Sequence, residues 1–146
     1  MNPDSVGSGR APLVMVNTEV NSGNFLVSDA GAFLVDWEKA VVSYRYQDLG
    51  HFLVPTTTLW KSDYVYTEEE KLEFLRAYKE QLGLNIEIKT LFEKTKLLER
   101  TILLRALSWC YMAYYEYTRE ERTLRNEDTF AKIRDYLNDI ESLLSW

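Results

Sequence analysis

Apolar positions come in short runs over the first third of the chain and follow a helical period over the rest. The runs at 13–16, 25–27 and 33–35 are apolar and bounded by turn residues, which predicts strands. The turns at 21–24 and 29–31 contain Asn, Ser, Asp and Gly, which bond their own backbone or adopt positive φ. The polar residues of this region are therefore predicted at strand ends, where a rigid scaffold can hold them.

Helical patterns follow these strands. A short helix is predicted over 48–53 with Asp48 near its start, and Pro55 and the threonines at 56–58 are predicted to end it. Farther along, the mixed-charge run at 119–125 is predicted to be a solvated connector.

Two features mark the ends of the next helix. Thr67 and Glu70 have the spacing of a capping box, in which the hydroxyl accepts the N–H of the third residue and the glutamate reaches back. Gly83 supplies a C-terminal cap. Further helices are predicted over 86–117 and 126–144. The helix predicted over 86–117 has a stripe that is predicted to be buried, which comprises Leu91, Leu98, Ile102, Ala106, Trp109, Ala113 and Tyr117.

The middle of the long helix, 103–115, is apolar on nearly every side, which predicts a position at the centre of a helical layer. Cys110 lies within it and is predicted to be a small apolar filler. The aromatic residues of this helix have two interpretations. They are core residues at helical spacing, or they line a pocket that holds an amine or a sugar by cation–π contact. These residues are Trp109, Tyr111, Tyr114, Tyr115 and Tyr117.

Composition and charge narrow the classes of function. With 146 residues, 46% of them apolar, the chain is long enough for one domain with a core. The net charge of −6 argues against a nucleic-acid partner, which requires a basic face. The single cysteine excludes an internal disulfide and fits a reducing compartment. Because the chain has neither a signal pattern nor an apolar run of ~20 residues, the predicted location is cytoplasmic, with no membrane partner.

Candidate chemistry is concentrated in residues 17–24 and a later aspartate. Glu19 is a carboxylate, Asn24 an amide five residues on, and Asp36 a second carboxylate after the predicted hairpin. Phosphoryl transfer with Mg²⁺ uses such a set: a carboxylate that orients a hydroxyl, and an asparagine and an aspartate that hold the metal. Each residue alone also has a plain structural interpretation as a turn former, a strand-end cap or a solvated edge charge.

The run at 17–24, with the Asp-Trp at 36–37 and the Asp-Leu at 48–49, resembles the aminoglycoside phosphotransferase and choline kinase family. These are small-molecule kinases with the protein-kinase-like fold. The family pattern is H-x-D-x-x-x-x-N, a short hairpin, an I-D-W type motif and a D-L-A that starts a helix. Its spacing is kept over about 13–55, and the helical remainder is similar only in general character.

The resemblance implies a fold class and a domain organisation. The fold is α/β (α+β), with a short β-hairpin catalytic region packed on a mainly α-helical, kinase-like C-terminal lobe. The lobe spans 13–146, with catalytic and metal-binding loops at 13–54 and a helical layer at 67–146. Residues 1–12, rich in Gly, Ser and Pro, are predicted to be a flexible tail.

The resemblance also implies residue roles. Glu19 falls on the catalytic aspartate and would orient the substrate hydroxyl and accept its proton, and Asn17 falls on the catalytic-loop histidine. Asn24 and Asp36 match the residues that hold Mg²⁺ against the phosphates of ATP. Asp48 matches the helix-start aspartate, which supports the catalytic loop.

Two departures from the pattern affect these roles. Glu19 is one methylene longer than aspartate, which moves its carboxylate by on the order of 1 Å, and a displacement of that size can cost ~10²-fold in rate. Asn17 can bond backbone groups but lacks the imidazole ring, so its main effect is expected on the rigidity of the loop.

A larger departure lies upstream of Leu13. In this fold an N-terminal lobe supplies a Gly-rich loop and a Lys–Glu pair for the phosphates, and nothing before Leu13 provides either. The chain is therefore expected to be the C-terminal portion of a small-molecule kinase and to be inactive alone. Its expected partners are a small-molecule hydroxyl substrate, the missing N-terminal lobe, and a second copy held through an exposed apolar lobe face.

Two other interpretations stay open. The changes to Glu19 and Asn17 also fit a kinase-like binding or scaffold protein without catalysis. A plain helical interaction domain with a chance match to the motif is the third. His51, the only histidine, is predicted to be a packed or hydrogen-bonded residue, because alone it forms neither a triad nor a multi-histidine zinc site.

Overall fold

The computed structural model describes residues 11–119 and 126–145, which form a mixed helix-and-sheet architecture. Most of the predicted tail and of the predicted connector at 119–125 therefore lies outside the described residues. Ala11, assigned to the tail from sequence, is partly buried and packs against the hydrophobic core. The strands are β1 (Leu13–Val16), β2 (Phe25–Ser28), β3 (Gly31–Leu34) and β4 (Val41–Tyr44). The helices are α1 (Tyr46–Leu53), α2 (Pro55–Lys61), α3 (Glu68–Gln81), α4 (Ile88–Tyr117), α5 (Glu127–Asn138) and α6 (Ile140–Leu144).

The strands form two antiparallel ribbons. β2 and β3 pair as a hairpin from Phe25 opposite Leu34 to Ser28 opposite Gly31, which confirms the predicted hairpin. β1 pairs with β4, a strand that the sequence pattern did not predict. This second ribbon closes the long loop that carries the candidate site, because its two strands flank that whole segment.

One face of the β1–β4 ribbon is apolar and exposed. Leu13 lies opposite Tyr44 and Met15 lies opposite Val42 in the register, and all four side chains are exposed. An exposed apolar patch of neighbouring side chains is unusual on a monomeric protein and is typical of an interaction surface.

The described residues divide into two compact units, one that ends at Arg100 and one that begins at Thr101. In the first unit, aromatic rings surround a small aliphatic core, and Phe52 stacks on Phe74 with ring centroids 5.3 Å apart. α1, α3 and the first part of α4 contribute the buried members of this core cluster. These are Tyr46, Leu49, Leu53, Leu75 and Leu91.

A close approach of α1 to α4 also depends on Gly50. A Cβ at Gly50 would lie 3.0 Å from the backbone nitrogen of Glu99 and 3.0 Å from the Cβ of Leu98. The side chain of the same Glu99 forms a fully buried ion pair with Lys71 of α3, in which Nζ and Oε2 are 2.7 Å apart. α1 and α3 are thus both fixed against the same turn of α4.

The predicted helix ends are partly confirmed. The Thr67 hydroxyl accepts the N–H of Glu70 while the Glu70 carboxylate accepts the N–H of Thr67, which confirms the capping box. Gly83 adopts φ 58°, as its predicted role after the helix requires. α1 ends at Leu53, as expected, but Pro55 begins α2 instead of leading into a loop. Proline suits the first turn of a helix, where its missing N–H has no partner to lose.

The second unit contains the rest of α4 with α5 and α6. The predicted final helix is broken at Asp139, which leaves helical geometry between α5 and α6. Tyr114 stacks on Phe130 with centroids 5.8 Å apart, so at least this aromatic residue of α4 packs against α5. Cys110 is buried, as predicted.

The segment 103–115, which was predicted to lie at the centre of a helical layer, is buried on one side only. One stripe of this segment is buried, but the opposite side is exposed and includes Trp109, which was assigned to the buried stripe. The exposed large apolar side chains of the segment are Leu104, Trp109, Tyr111, Met112, Tyr114 and Tyr115.

Within the described ranges, no helix is long and apolar enough to cross a membrane.

Candidate functional site

Asp48 fixes the loop that follows β1. It lies in the first turn of α1, and its two carboxylate oxygens accept the backbone N–H groups of Asn17 at 2.7 Å and Thr18 at 2.8 Å. Hydrogen bonds from two N–H groups to one carboxylate are charge-assisted and hold both peptide units in a fixed orientation. Asp48, which was predicted from the sequence to support the catalytic loop, therefore contacts the loop that follows β1 directly.

The side chain of Asn17 joins this loop to the segment after β3. It is fully buried, and its amide nitrogen donates to the carbonyl of Asp36 at 2.7 Å and, more weakly, to that of Val35 at 3.3 Å. Its amide oxygen accepts the N–H of Glu19 at 3.1 Å. A neutral side chain with both donors and acceptors thus satisfies the polar groups of two loops at once.

Asn24 bonds to the backbone of Glu19 and to that of the residue before Asp36. Its side-chain amide nitrogen donates to the backbone carbonyl of Glu19 at 3.1 Å, and its own backbone carbonyl accepts the N–H of Val35 at 2.9 Å. Asn21 donates to the same Glu19 carbonyl at 2.8 Å. Since Val35 immediately precedes Asp36, the hairpin brings Asn24 and Asp36 to the same end of β2 and β3.

Two residues of this region have backbone conformations that L-residues rarely adopt. Thr18 has φ 74° and Asp36 has φ 63°. For a β-branched residue such as Thr18 this is an outlier, and such residues persist only where surrounding contacts hold them. Here the Thr18 N–H is held by Asp48, and the Asp36 carbonyl is held by Asn17.

The side chain of Glu19 forms an ion pair that the sequence did not predict. Lys39 Nζ lies 2.7 Å from Glu19 Oε1, and both side chains are substantially exposed. The hydrogen bond to Glu19 raises the pKa of Lys39 above its ordinary value. The Lys39 carbonyl accepts the hydroxyl of Thr18 at 3.2 Å, so the same residue is attached to the loop twice. No spacing rule identifies such a pair, because it depends on how two loops fold against each other.

The oxygen atoms of Asn24 and Asp36 suit a hard cation. The Asn24 amide nitrogen donates to the Glu19 carbonyl. The amide oxygen of Asn24 and the carboxylate of Asp36 are the side-chain atoms of this pair that can bind a cation. In the described part of the chain, no three His, Cys, Asp or Glu side chains come together as a metal cluster. Mg²⁺ is often held by one or two protein oxygens together with substrate phosphates, so this donor set fits it only with phosphate present.

An apolar cavity of about 340 Å³ lies beside the loop in the first unit. Its lining is apolar except for Arg45 and Asp48, and Glu19, Asn24 and Asp36 are not part of it. The candidate chemistry therefore lies outside this cavity.

The five predicted site residues thus belong to one hydrogen-bonded network, and His51 extends it. The His51 Nδ1 atom lies 2.9 Å from the carbonyl of Val20, which confirms a hydrogen-bonded role for this residue.

No protein-family model, no curated protein and no solved structure matches the chain. The function is therefore inferred from the geometry of this network.

Proposed function

We propose that the chain is the C-terminal part of a small-molecule kinase of the aminoglycoside phosphotransferase and choline kinase type, which transfers the γ-phosphoryl group of ATP to a substrate hydroxyl. One observation carries the proposal. Asn17, Glu19, Asn24, Asp36 and Asp48, which match the family pattern in order and spacing, lie in one hydrogen-bonded network although the chain separates them. A chance match to the motif does not require its members to meet.

In the proposed reaction, Glu19 orients the acceptor hydroxyl and receives its proton. The bond between the acceptor oxygen and the γ-phosphorus forms as the bond from that phosphorus to the bridging oxygen breaks, and ADP leaves. Asn24 and Asp36 would hold Mg²⁺, which when bound neutralises charge on the phosphates. Asp48 and Asn17 act through the backbone, because they fix the loop that carries Glu19.

The proposal includes a kinase-like C-terminal lobe that requires an N-terminal lobe for nucleotide binding. The exposed apolar face of the β1–β4 ribbon, formed by Leu13, Met15, Val42 and Tyr44, supports a covering partner. This chain alone is proposed to be inactive, and self-association through the same face is the expected behaviour where the lobe is missing.

The test uses the protein at its native length, purified from its own cells, with Mg²⁺-ATP and a panel of hydroxyl acceptors that includes water. We expect Mg²⁺-dependent ADP release that Asp36→Ala abolishes and Glu19→Gln lowers strongly. Asp29→Ala is the matched control, because Asp29 is an exposed carboxylate in the β2–β3 turn. Activity of Asp36→Ala equal to that of the native protein would exclude the metal role.

A binding or scaffold protein without catalysis is the second candidate. The observation that favours it is the ion pair of Glu19 with Lys39, which occupies one oxygen of the proposed catalytic carboxylate. Calorimetric titration of the native-length protein with Mg²⁺-ATP separates the two candidates. Correct folding with no nucleotide binding would favour the scaffold.

A further inference from the structure

Lys39 is attached to the loop at 17–19 by both its side chain and its backbone. Its ammonium lies 2.7 Å from Glu19 Oε1, and its carbonyl accepts the Thr18 hydroxyl at 3.2 Å. A turn in which the Ala40 N–H donates to the carbonyl of Trp37 at 3.1 Å fixes the backbone around it. Lys39 therefore reaches Glu19 from a backbone that is already held in place.

The contact matters because Glu19 has one more side-chain torsion than an aspartate. Its backbone is fixed, since Asn17 accepts its N–H and Asn24 binds its carbonyl. Without a further contact, the carboxylate would rotate about the additional bond, away from the position in which it accepts the proton of the substrate hydroxyl. Holding Oε1 fixes this rotation and leaves Oε2 available for a hydroxyl.

We infer that Lys39 is a positioning residue for the proposed phosphoryl transfer, which holds Oε1 of Glu19 so that Oε2 receives the acceptor hydroxyl. This inference rests on the proposed function. An exposed ion pair adds little to the stability of a fold. The contribution of Lys39 is therefore geometric, and it compensates for the longer side chain that stands where the family has aspartate.

A different role makes a different kinetic prediction. If the Lys39 ammonium bound the phosphates of ATP, its removal would raise the KM for ATP. A positioning role lowers kcat and leaves this KM unchanged, because Asn24 and Asp36 remain intact. A purely structural role would lower the melting temperature, which neither of the other two does.

The experiment measures Mg²⁺-dependent ATP hydrolysis, with water as the acceptor, by the native-length protein. For Lys39→Met we expect a kcat lower by about 10- to 100-fold, an unchanged KM for ATP and an unchanged melting temperature, with most of the rate restored in Lys39→Arg. Lys61→Met is the matched control. Lys61 Nζ lies 3.8 Å from the position that a Cβ on Gly23 would take, so this variant removes a positive charge from beside the same loop.

A second background makes the test specific to the length of Glu19. In a Glu19→Asp protein the additional torsion is absent, so Lys39→Met should have a much smaller effect there. An equal loss in both backgrounds, a full kcat for Lys39→Met, or a loss confined to KM would each overturn the inference. Absence of Mg²⁺-dependent ADP release by the unsubstituted protein with every acceptor of the panel would overturn the proposed function itself, and this is measured before any variant.

Discussion

The Asp48 carboxylate accepts the backbone N–H of Asn17 at 2.7 Å across 31 residues of sequence. The first turn of α1 is thereby attached to the loop that follows β1. Asp48 lies where the partial positive charge of a helix N-terminus favours a carboxylate, so one side chain serves both the helix and the loop.

Replacing Asp48 by alanine removes the hydrogen-bond partner of two N–H groups, those of Asn17 and Thr18. We expect the free energy of unfolding to fall by about 2–6 kcal/mol, since each of the two unsatisfied, partly buried donors costs about 1–3 kcal/mol. Urea denaturation of the chain measures the change. Glu73→Ala removes an exposed carboxylate from α3 and should change stability little. Equal stability of the two variants would show that Asp48 does not hold the loop.

Gly50→Ala is expected to destabilise the chain. An alanine in place of glycine within a helix ordinarily stabilises by about 1 kcal/mol. Here the added methyl group would lie 3.0 Å from atoms of Leu98 and Glu99, and overpacking of this kind costs about 1–3 kcal/mol. The sign of the change in a thermal or urea melt decides between the two effects. Because Gly50 is two residues from Asp48, the variant should also lower any activity of the native-length protein.

The buried pair of Lys71 and Glu99 predicts a non-additive pair of substitutions. Burial lowers the pKa of Lys71 and raises the pKa of Glu99, so each side chain depends on the other to remain charged. Lys71→Met leaves a buried carboxylate without its partner and should cost about 3–5 kcal/mol. Adding Glu99→Leu should recover part of that loss in a denaturation-based double-mutant cycle.

The control for this cycle is the half-exposed pair of Lys96 and Glu68. Its atoms are 2.8 Å apart, close to the separation in the buried pair. Lys96→Met should nevertheless cost less than about 1 kcal/mol, because water screens an exposed pair. Similar losses for Lys71→Met and Lys96→Met would show that burial does not determine the cost.

The capping box of α3 predicts a dependence of stability on pH. The hydrogen bond from Tyr64, followed by those from Thr67, lowers the pKa of Glu70 below its ordinary value of 4.5. The folded chain therefore holds this proton less tightly than the unfolded chain. The stabilisation is fully present above pH 4.5 and is lost as the pH falls through the lower, folded pKa. Melting temperatures measured from pH 6 downward should decrease less steeply in Glu70→Gln, and Glu69→Gln, a neighbouring exposed position, should follow the unsubstituted chain.

Local signals predicted the parts of the fold that neighbouring residues determine. The β2–β3 hairpin, the capping box and the position of Gly83 each depend on a few consecutive residues. The β1–β4 ribbon was missed because β4 pairs with a strand on the far side of the site. α2 was missed because Pro55 both prevents one helix from continuing and suits the start of the next.

The same distinction applies to the candidate site. Asn17, Glu19, Asn24, Asp36 and Asp48 could be selected as candidates because their order and spacing are a sequence property. Lys39 was not predicted, since its contact with Glu19 depends on the path of two loops and on one side-chain rotamer. The exposure of Trp109 was likewise missed, because an apolar helix surface does not show by itself which side is covered.

The positive φ of Thr18 bears on whether the site can be moved to another protein. A peptide of 17–24 would relax to ordinary backbone angles, because nothing within it replaces the carboxylate of Asp48. Grafting this loop onto another scaffold therefore requires that the first turn of α1 be transferred with it, together with the segment at Asp36 that Asn17 contacts. In evolution, too, the loop and α1 should be exchanged between proteins together or not at all.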